Sequence, residues 1–130
     1  MNGAAIHTLG RRGETLAAWI YRLQGFRIIG RNLVEGGVEI DLIARRGSRI
    51  AFVEVKTRSS QRHGEPWEAV DQKRRERMFR AAERYLSRTR ESRTARYDVV
   101  SIIWSGFIPN VRIYRDAFMF VSDPERPWKR

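Results

Sequence analysis

Apolar residues recur at helical spacing in two segments of the chain. In residues 11–24 they follow the helical period, and Gly25 comes next, where a left-handed cap ends many helices. A second helix is predicted to begin near Pro66 or Val70 and to end at Arg90, with a proline in its first turn. The apolar positions of the two helices are Leu16, Ala17, Ile20 and Leu23, and then Val70, Met78, Ala81, Ala82, Tyr85 and Leu86.

Three other segments have the composition of β-strands. Residues 26–33 are apolar with β-branched side chains and precede the turn signal Gly36-Gly37. Residues 95–104 form a nearly continuous apolar run, and residues 110–114 are typical of a short strand. These segments indicate one strand after the first helix and two strands after the second.

Two runs between the helices alternate apolar and polar residues. VEIDLIARR begins at Val38, RIAFVEVKTR begins at Arg49, and Gly47-Ser48 separates them, which predicts a β-hairpin. Because side chains alternate along a strand, one face of this hairpin is uniformly apolar and the other carries four charged groups at one end. The apolar face comprises Val38, Ile40, Leu42, Ala51, Val53 and Val55, and the second face comprises Glu39, Asp41, Ile43, Phe52, Glu54 and Lys56.

The hairpin register predicts a site on the charged face. Counting outward from the turn places Asp41 opposite Glu54 and Glu39 opposite Lys56. Such neighbours lie about 4.5–5.5 Å apart, where like charges destabilise the sheet. A divalent cation such as Mg²⁺ removes that cost, and Lys56 could then stabilise charge developing on a phosphate. The alternative is a solvated face in which Lys56 pairs with Glu39, worth about 0–1 kcal/mol.

The predicted order of elements is αβββαββ. A strand, a long helix and another strand imply a right-handed crossover between parallel strands, so we expect an α/β fold with a mixed sheet flanked by helices. The 130 residues suit one domain, residues 1–122, followed by a flexible tail, residues 123–130. The polar stretch SSQRHGEP, residues 59–66, is expected to form a mobile loop.

The charge of the chain indicates a polyanion as its partner. Its 26 Lys and Arg residues outnumber 15 Asp and Glu residues, for a net charge of +11 and a pI near 11.2. Arginine predominates, and its planar fork matches phosphate, so we expect nucleic acid, although a GC-rich genome also enriches arginine. The chain has no cysteine, which excludes disulfides and thiolate zinc sites. No signal-peptide core or membrane span is visible, so we expect a cytoplasmic protein.

The block GVEIDLIARRGSRIAFVEVKTR resembles the core of the YraN-type predicted endonucleases, which are similar to Holliday junction resolvases and share the restriction-endonuclease-like PD-(D/E)xK fold. The resemblance extends over nearly the whole chain, through GRRGETLAAWIYRLQGFRIIGRN, the second helix, RYDVV and RDAF. A bare D…ExK pattern is weakly specific, whereas this block between that helix and that strand is highly specific. The chain departs from the family pattern at Val38, where glycine is usual, and at Arg46, where an acidic residue is common.

The resemblance implies roles for five residues. Asp41 and Glu54 would be ligands of Mg²⁺ or Mn²⁺, and Lys56 would be the catalytic lysine. Glu14 on the first helix would complete the metal-binding and catalytic acidic cluster, and Glu39 would be an auxiliary acid. Without the family, Glu14 could equally be an ordinary first-turn acid.

Further residues are candidates for contacts with nucleic acid or with a second copy of the chain. The candidates for phosphate contacts follow the third strand or lie on the second helix, where a solvated surface is the alternative. We expect Trp19, Tyr21, Phe79 and Tyr85 in the core rather than as platforms for base stacking. Some of Trp104, Phe107, Phe118 and Phe120 are expected in a homodimer contact. The phosphate candidates are Arg58, Arg62, Lys73, Arg74 and Arg77.

These observations favour a Mg²⁺-dependent endonuclease that hydrolyses phosphodiester bonds of DNA, in branched or otherwise structured form. The chain contains no base-reading module, so recognition should depend on the shape of the backbone. Two alternatives stay open: a non-catalytic nucleic-acid-binding protein of nuclease fold, and a protein directed at RNA.

Overall fold

The first helix, α1 (Gly3–Leu23), ends in a Schellman motif. Gly25 has a φ of 90°, and the amide of Phe26 donates to the carbonyl of Tyr21 at 3.0 Å. The rings of Tyr21 and Phe26 meet edge to face at 5.3 Å, which is the apolar contact that accompanies this cap. The predicted cap at Gly25 is confirmed. The helix starts eight residues earlier than residue 11, and the added segment contains Ala4, Ala5 and Leu9, which favour a helix.

A computed structural model describes residues 3–59, 72–89 and 94–121 of the chain. The predicted mobile loop, apart from its first residue, and the predicted tail lie outside these ranges, and so does the predicted first turn of the second helix. After α1 the described elements are β1 (Arg27–Glu35), β2 (Val38–Arg46), β3 (Arg49–Ser59), α2 (Gln72–Thr89), β4 (Thr94–Ser105) and β5 (Ile108–Val121).

The five strands form one mixed sheet in the order β1-β2-β3-β4-β5. β3 and β4 are parallel and the other neighbours are antiparallel, so α2 lies in the crossover between parallel strands. The fold is α/β in the order αβββαββ, as the sequence predicts. The strand predicted at 110–114 is shorter than the observed β5, which continues to Val121. β5 is longer because the backbone of β4 supplies hydrogen-bond partners along this length.

Each helix covers one face of the sheet. The α1-side cluster contains buried residues of α1 together with side chains such as Leu42 and Val53. The α2-side cluster contains buried residues of α2 together with Ile43 and Phe52. Both faces of the central strands are therefore apolar, as expected for strands covered on two sides. In the described part of the chain, no helix is long and apolar enough to span a membrane.

Arginines tie the end of α1 to the sheet. Arg46 donates from Nη1 to the backbone carbonyl of Gln24 at 2.8 Å, and its guanidinium lies 4.6 Å from the centre of the Phe26 ring. Arg115 donates to the side-chain oxygen of Gln24. Cations at the C-terminal end of a helix are favoured by its dipole. This contact is the structural role of Arg46, one of the two departures from the family pattern.

α1 approaches β3 most closely at Gly13. A Cβ at this position would overlap Thr57 Oγ1 and come within 3.3 Å of Thr57 Cβ. Gly10, one turn earlier on the same helix, has no atom within 4 Å of such a Cβ. Gly13 therefore allows a contact that sets the height of α1 above β3, whereas Gly10 makes no such contact.

We expect Gly13→Ala to destabilise the protein and Gly10→Ala to stabilise it. Alanine gains about 0.5–1 kcal/mol over glycine inside a helix, and only at Gly13 does overlap with Thr57 outweigh that gain. Urea unfolding followed by circular dichroism measures both changes. Equal stabilisation by the two substitutions would contradict the close contact.

Candidate active site

Three acidic residues converge beside α1. One carboxylate oxygen from each of Glu14, Glu39 and Asp41 lies within 4.8 Å of the others. Glu14 comes from α1, directly after the contact at Gly13, and the other two come from the start of β2. Hard divalent cations prefer oxygen ligands of this kind. This acidic group could therefore hold a metal ion.

The direction of the side chains along β2 changes at Asp41. Ile40 packs in the α2-side cluster and Leu42 in the α1-side cluster, so the side chains do not alternate simply across Asp41. On β1, Asn32 stands opposite Asp41, between the pairs Arg31–Leu42 and Leu33–Ile40, and has a φ of 48°. Asparagine tolerates this left-handed conformation better than most residues.

The predicted apolar face of the hairpin is consequently wrong in one respect. Val38 and Ile40 pack on the α2 side, whereas Leu42 and Val53 pack on the α1 side. The change of direction at Asp41 is the physical reason. It turns the carboxylates at the start of β2 toward Glu14 of α1.

The predicted hairpin register is confirmed from the turn as far as Leu42 and Val53, where the paired ladder ends. Asp41 and Glu54 would form the next pair. Instead, Asp41 accepts a hydrogen bond at Oδ2 from the backbone amide of Val55, at 2.7 Å. The side chain of Asp41 thus takes the place of a backbone acceptor and connects β2 to β3 beyond the ladder.

Burial raises the pKa of Asp41 to about 7. The Val55 amide opposes this change, because it stabilises the carboxylate by a hydrogen bond. The negative charges of Glu14, Glu54 and Glu39 add to the increase, in that order. Asp41 therefore lies at the centre of a concentration of negative charge.

Glu54 and Lys56 form an ion pair at the edge of this group. Glu54 is 1% exposed, and its Oε2 lies 3.2 Å from Lys56 Nζ, whose side chain is 28% exposed. Lys56 therefore reaches from a buried carboxylate toward solvent. The structure brings all five acidic and basic residues that the family implies into one region: the acidic group, Glu54, whose charge acts on Asp41, and Lys56 beside Glu54.

The predicted phosphate-contacting residues are spread over a wider surface. Arg58 is partly buried near the end of β3, and Lys73 and Arg77 are exposed on α2. The side chain of Arg74 and the whole of Arg62 lie outside the description. Contact of these residues with nucleic acid stays a prediction.

Two residues lie in places that the sequence did not predict. Glu39 was expected as an auxiliary acid, yet it lies in the acidic group. Trp19 was expected in the core, but it is 56% exposed, whereas Tyr21 is fully buried. The tyrosine donates to Asp98 Oδ2 at 2.6 Å, and the buried Asp98 also accepts from Arg96. A polar Asn32 within an apolar strand was the available signal for the change of direction at Asp41.

Residues 13–102 match a model of a family described as Uncharacterised protein family UPF0102. A relative from Geobacter metallireducens is 39% identical over 112 residues, which cover 85% of this chain and 92% of that protein. A relative from Rhodopirellula baltica is 43% identical over 120 residues, which cover 88% and 72%. A relative from Moorella thermoacetica is 45% identical over 94 residues, which cover 72% and 78%. The three proteins carry the name of the same family.

We expect Asp41→Asn to stabilise the metal-free protein, and to do so more at about pH 8 than at about pH 5. The folded-state pKa of about 7 lies above the ordinary aspartate pKa of 3.8, so the folded protein loses stability relative to the unfolded chain as pH rises between these values. Asparagine keeps an acceptor for the Val55 amide but carries no charge. Thermal unfolding in EDTA measures the difference.

Glu83→Gln on α2 is the control for this experiment, because it removes a carboxylate outside the acidic group. An Asp41→Asn variant that is no more stable than the wild type at about pH 8 would contradict the crowding of charge around Asp41.

Proposed function

The chain belongs to the family UPF0102, the YraN-type family, and we propose that it is a metal-dependent endonuclease that hydrolyses DNA phosphodiester bonds. The observation that carries the proposal is the convergence of the acidic group with the Glu54–Lys56 pair. Carboxylates that hold a cation next to an ammonium suit phosphoryl transfer, because the substrate and its transition state are both anionic.

The residues of the acidic group fit Mg²⁺ or Mn²⁺. Their oxygen donors are hard ligands, and the burial and mutual repulsion that raise the pKa of Asp41 are relieved by a dication. Glu14, Glu39 and Asp41 would hold the ion, with Glu54 nearby. A bound ion would supply Lewis-acid chemistry, polarisation of a phosphoryl oxygen and a lowered pKa of water.

The protein's own residues orient the reactants. The Val55 amide fixes the direction of the Asp41 carboxylate, and Glu54 fixes Lys56 through their ion pair. Lys56, partly open to solvent, donates to the oxygen of a bound phosphate on which negative charge develops. Asp41 and Lys56 come from neighbouring strands, so the sheet holds both groups at a set separation.

Charge supports nucleic acid as the substrate. The chain has a net charge of +11, and the exposed Lys73 and Arg77 on α2 are available for phosphate contacts, as Arg58 is on β3. We propose DNA rather than RNA, and binding that follows backbone shape rather than base sequence. The proposal includes a homodimer that cuts two strands. Phe107, whose side chain is 91% exposed, is the candidate for the dimer contact.

We expect Mg²⁺ or Mn²⁺ to raise the melting temperature of the wild type. A ligand at about ten times its Kd adds about 1.4 kcal/mol to the free energy of unfolding. Glu14→Gln and Asp41→Asn should lose most of this increase, whereas Glu76→Gln on α2 should keep it. Differential scanning fluorimetry measures the effect. An equal increase in all four proteins would place the cation elsewhere.

The substrate panel contains duplex, single-stranded, flap and four-way-junction DNA, together with RNA. With Mg²⁺ or Mn²⁺, we expect the wild type to cut DNA substrates of this panel. Lys56→Met should lower the cleavage rate about 100- to 1,000-fold without abolishing metal binding, because it removes a transition-state donor. Asp41→Asn should lower both. Arg49→Gln, at the far end of the hairpin, is the control for loss of positive charge.

Gel assays of cleavage under single-turnover conditions measure these rates. Variants that cut as fast as the wild type would reveal a contaminating nuclease and overturn the catalytic proposal. Binding to the substrates without cleavage would favour the non-catalytic alternative, and preferential cleavage of RNA would favour the RNA-directed one.

A further inference from the structure

A groove of about 520 Å³ lies beside α1, where that helix meets the end of β4. Its volume lies in the range of about 300–1,000 Å³ that is usual for ligand sites. Five of its lining residues come from α1, and one comes from the end of β4. They are Arg11, Arg12, Thr15, Leu16, Trp19 and Trp104.

The arginines of this groove differ from those elsewhere in the structure. Arg88 and Arg84 on α2 pair with the buried Glu35, and Arg96 on β4 pairs with Asp98. Within the described residues, no carboxylate pairs with the exposed Arg11, Arg12 or Arg22 of α1. Their charge is therefore free to attract an anion.

Two indole rings lie beside these arginines. Arg12 lies 4.5 Å from the centre of the Trp104 ring, and Arg22 lies 5.3 Å from that of Trp19. Trp19 is 56% exposed, an unusual position for so large an apolar side chain. Trp104 is 8% exposed, and its indole N–H has no hydrogen-bond partner in the described part of the chain.

The groove adjoins the acidic group. Arg11 and Glu14 are three residues apart on α1 and are therefore neighbours on its surface. Thr15, which lines the groove, directly follows Glu14. A strand with one phosphate at the acidic group would bring an adjacent nucleotide to the groove.

We propose that this groove binds an unpaired nucleotide of a DNA strand next to the cleaved phosphate. The base stacks on the exposed Trp19, and Arg11 and Arg12 contact the phosphates. A nucleotide fits these observations because it joins an anion to a flat aromatic group, and proteins bind single strands on stacking platforms beside basic side chains. The inference rests on the proposed function and specifies its substrate as DNA with a single-stranded segment.

Binding in EDTA tests this inference separately from cleavage. The probe is a fluorescently labelled short oligothymidylate, compared with a strand of the same length built from abasic nucleotides. We expect Trp19→Ala to weaken binding of oligothymidylate about tenfold and to leave binding of the abasic strand unchanged. Arg12→Ala should weaken binding of both strands, since both carry phosphates. Fluorescence anisotropy measures each Kd.

Two exposed residues outside the groove supply matched controls. Leu23→Ala removes a side chain that is 83% exposed on the same helix, and Arg49→Ala removes a positive charge at the hairpin turn. Both should have a smaller effect than the corresponding groove substitution. Trp19→Phe should recover part of the affinity, because it restores a smaller aromatic ring.

The outcomes separate the two proposals. If the wild type binds oligothymidylate and Trp19→Ala binds it equally well, the groove inference is wrong and the nuclease proposal stands. If Trp19→Ala weakens both strands equally, stacking is wrong. If the wild type binds neither strand nor duplex DNA, both proposals fail. Circular dichroism confirms that each variant is folded before its Kd is compared.

Discussion

The hydrogen bond from the Val55 amide to Asp41 Oδ2 is the contact on which the candidate site depends. The β2–β3 ladder ends one pair earlier, and the carboxylates brought together beyond it repel one another. The Val55 amide retains Asp41 near Glu14 and Glu39, although burial and charge oppose its ionisation. Three carboxylates grouped in this way could hold a cation, and this supports the proposed metal-dependent chemistry over a purely structural role.

The pairing of buried carboxylates with arginines explains how the elements around the site are held together. Buried carboxylates away from the acidic group have arginine partners: Glu35 joins the end of β1 to α2, and Asp98 joins β4 to Tyr21 of α1. A buried carboxylate without a partner would be strongly destabilising. The net charge of +11 is therefore divided between arginines that hold elements together and arginines, such as Arg12, that lack a carboxylate partner among the described residues.

Periodic segments were predictable because their information is local. The alternation around Gly47-Ser48 specified both β2 and β3, and the turn set their register as far as Leu42 and Val53. The extent of β5 was not predictable, since its outer half depends on pairing with β4 rather than on its own composition. For the same reason the helical pattern did not predict that Trp19 is exposed. Periodicity defines the faces of a helix, but it does not show which part of a face the sheet covers.

By itself, the sequence determined the order of elements, the hairpin and the cap at Gly25. It also determined which acidic and basic residues are candidates for the active site. Tertiary structure decided how those residues are grouped. Glu14 is brought to Asp41 by the close contact at Gly13, and Glu39 joins them because the side-chain direction of β2 changes at Asp41, opposite Asn32. These placements depend on contacts between residues far apart in the chain, and no local period encodes such contacts.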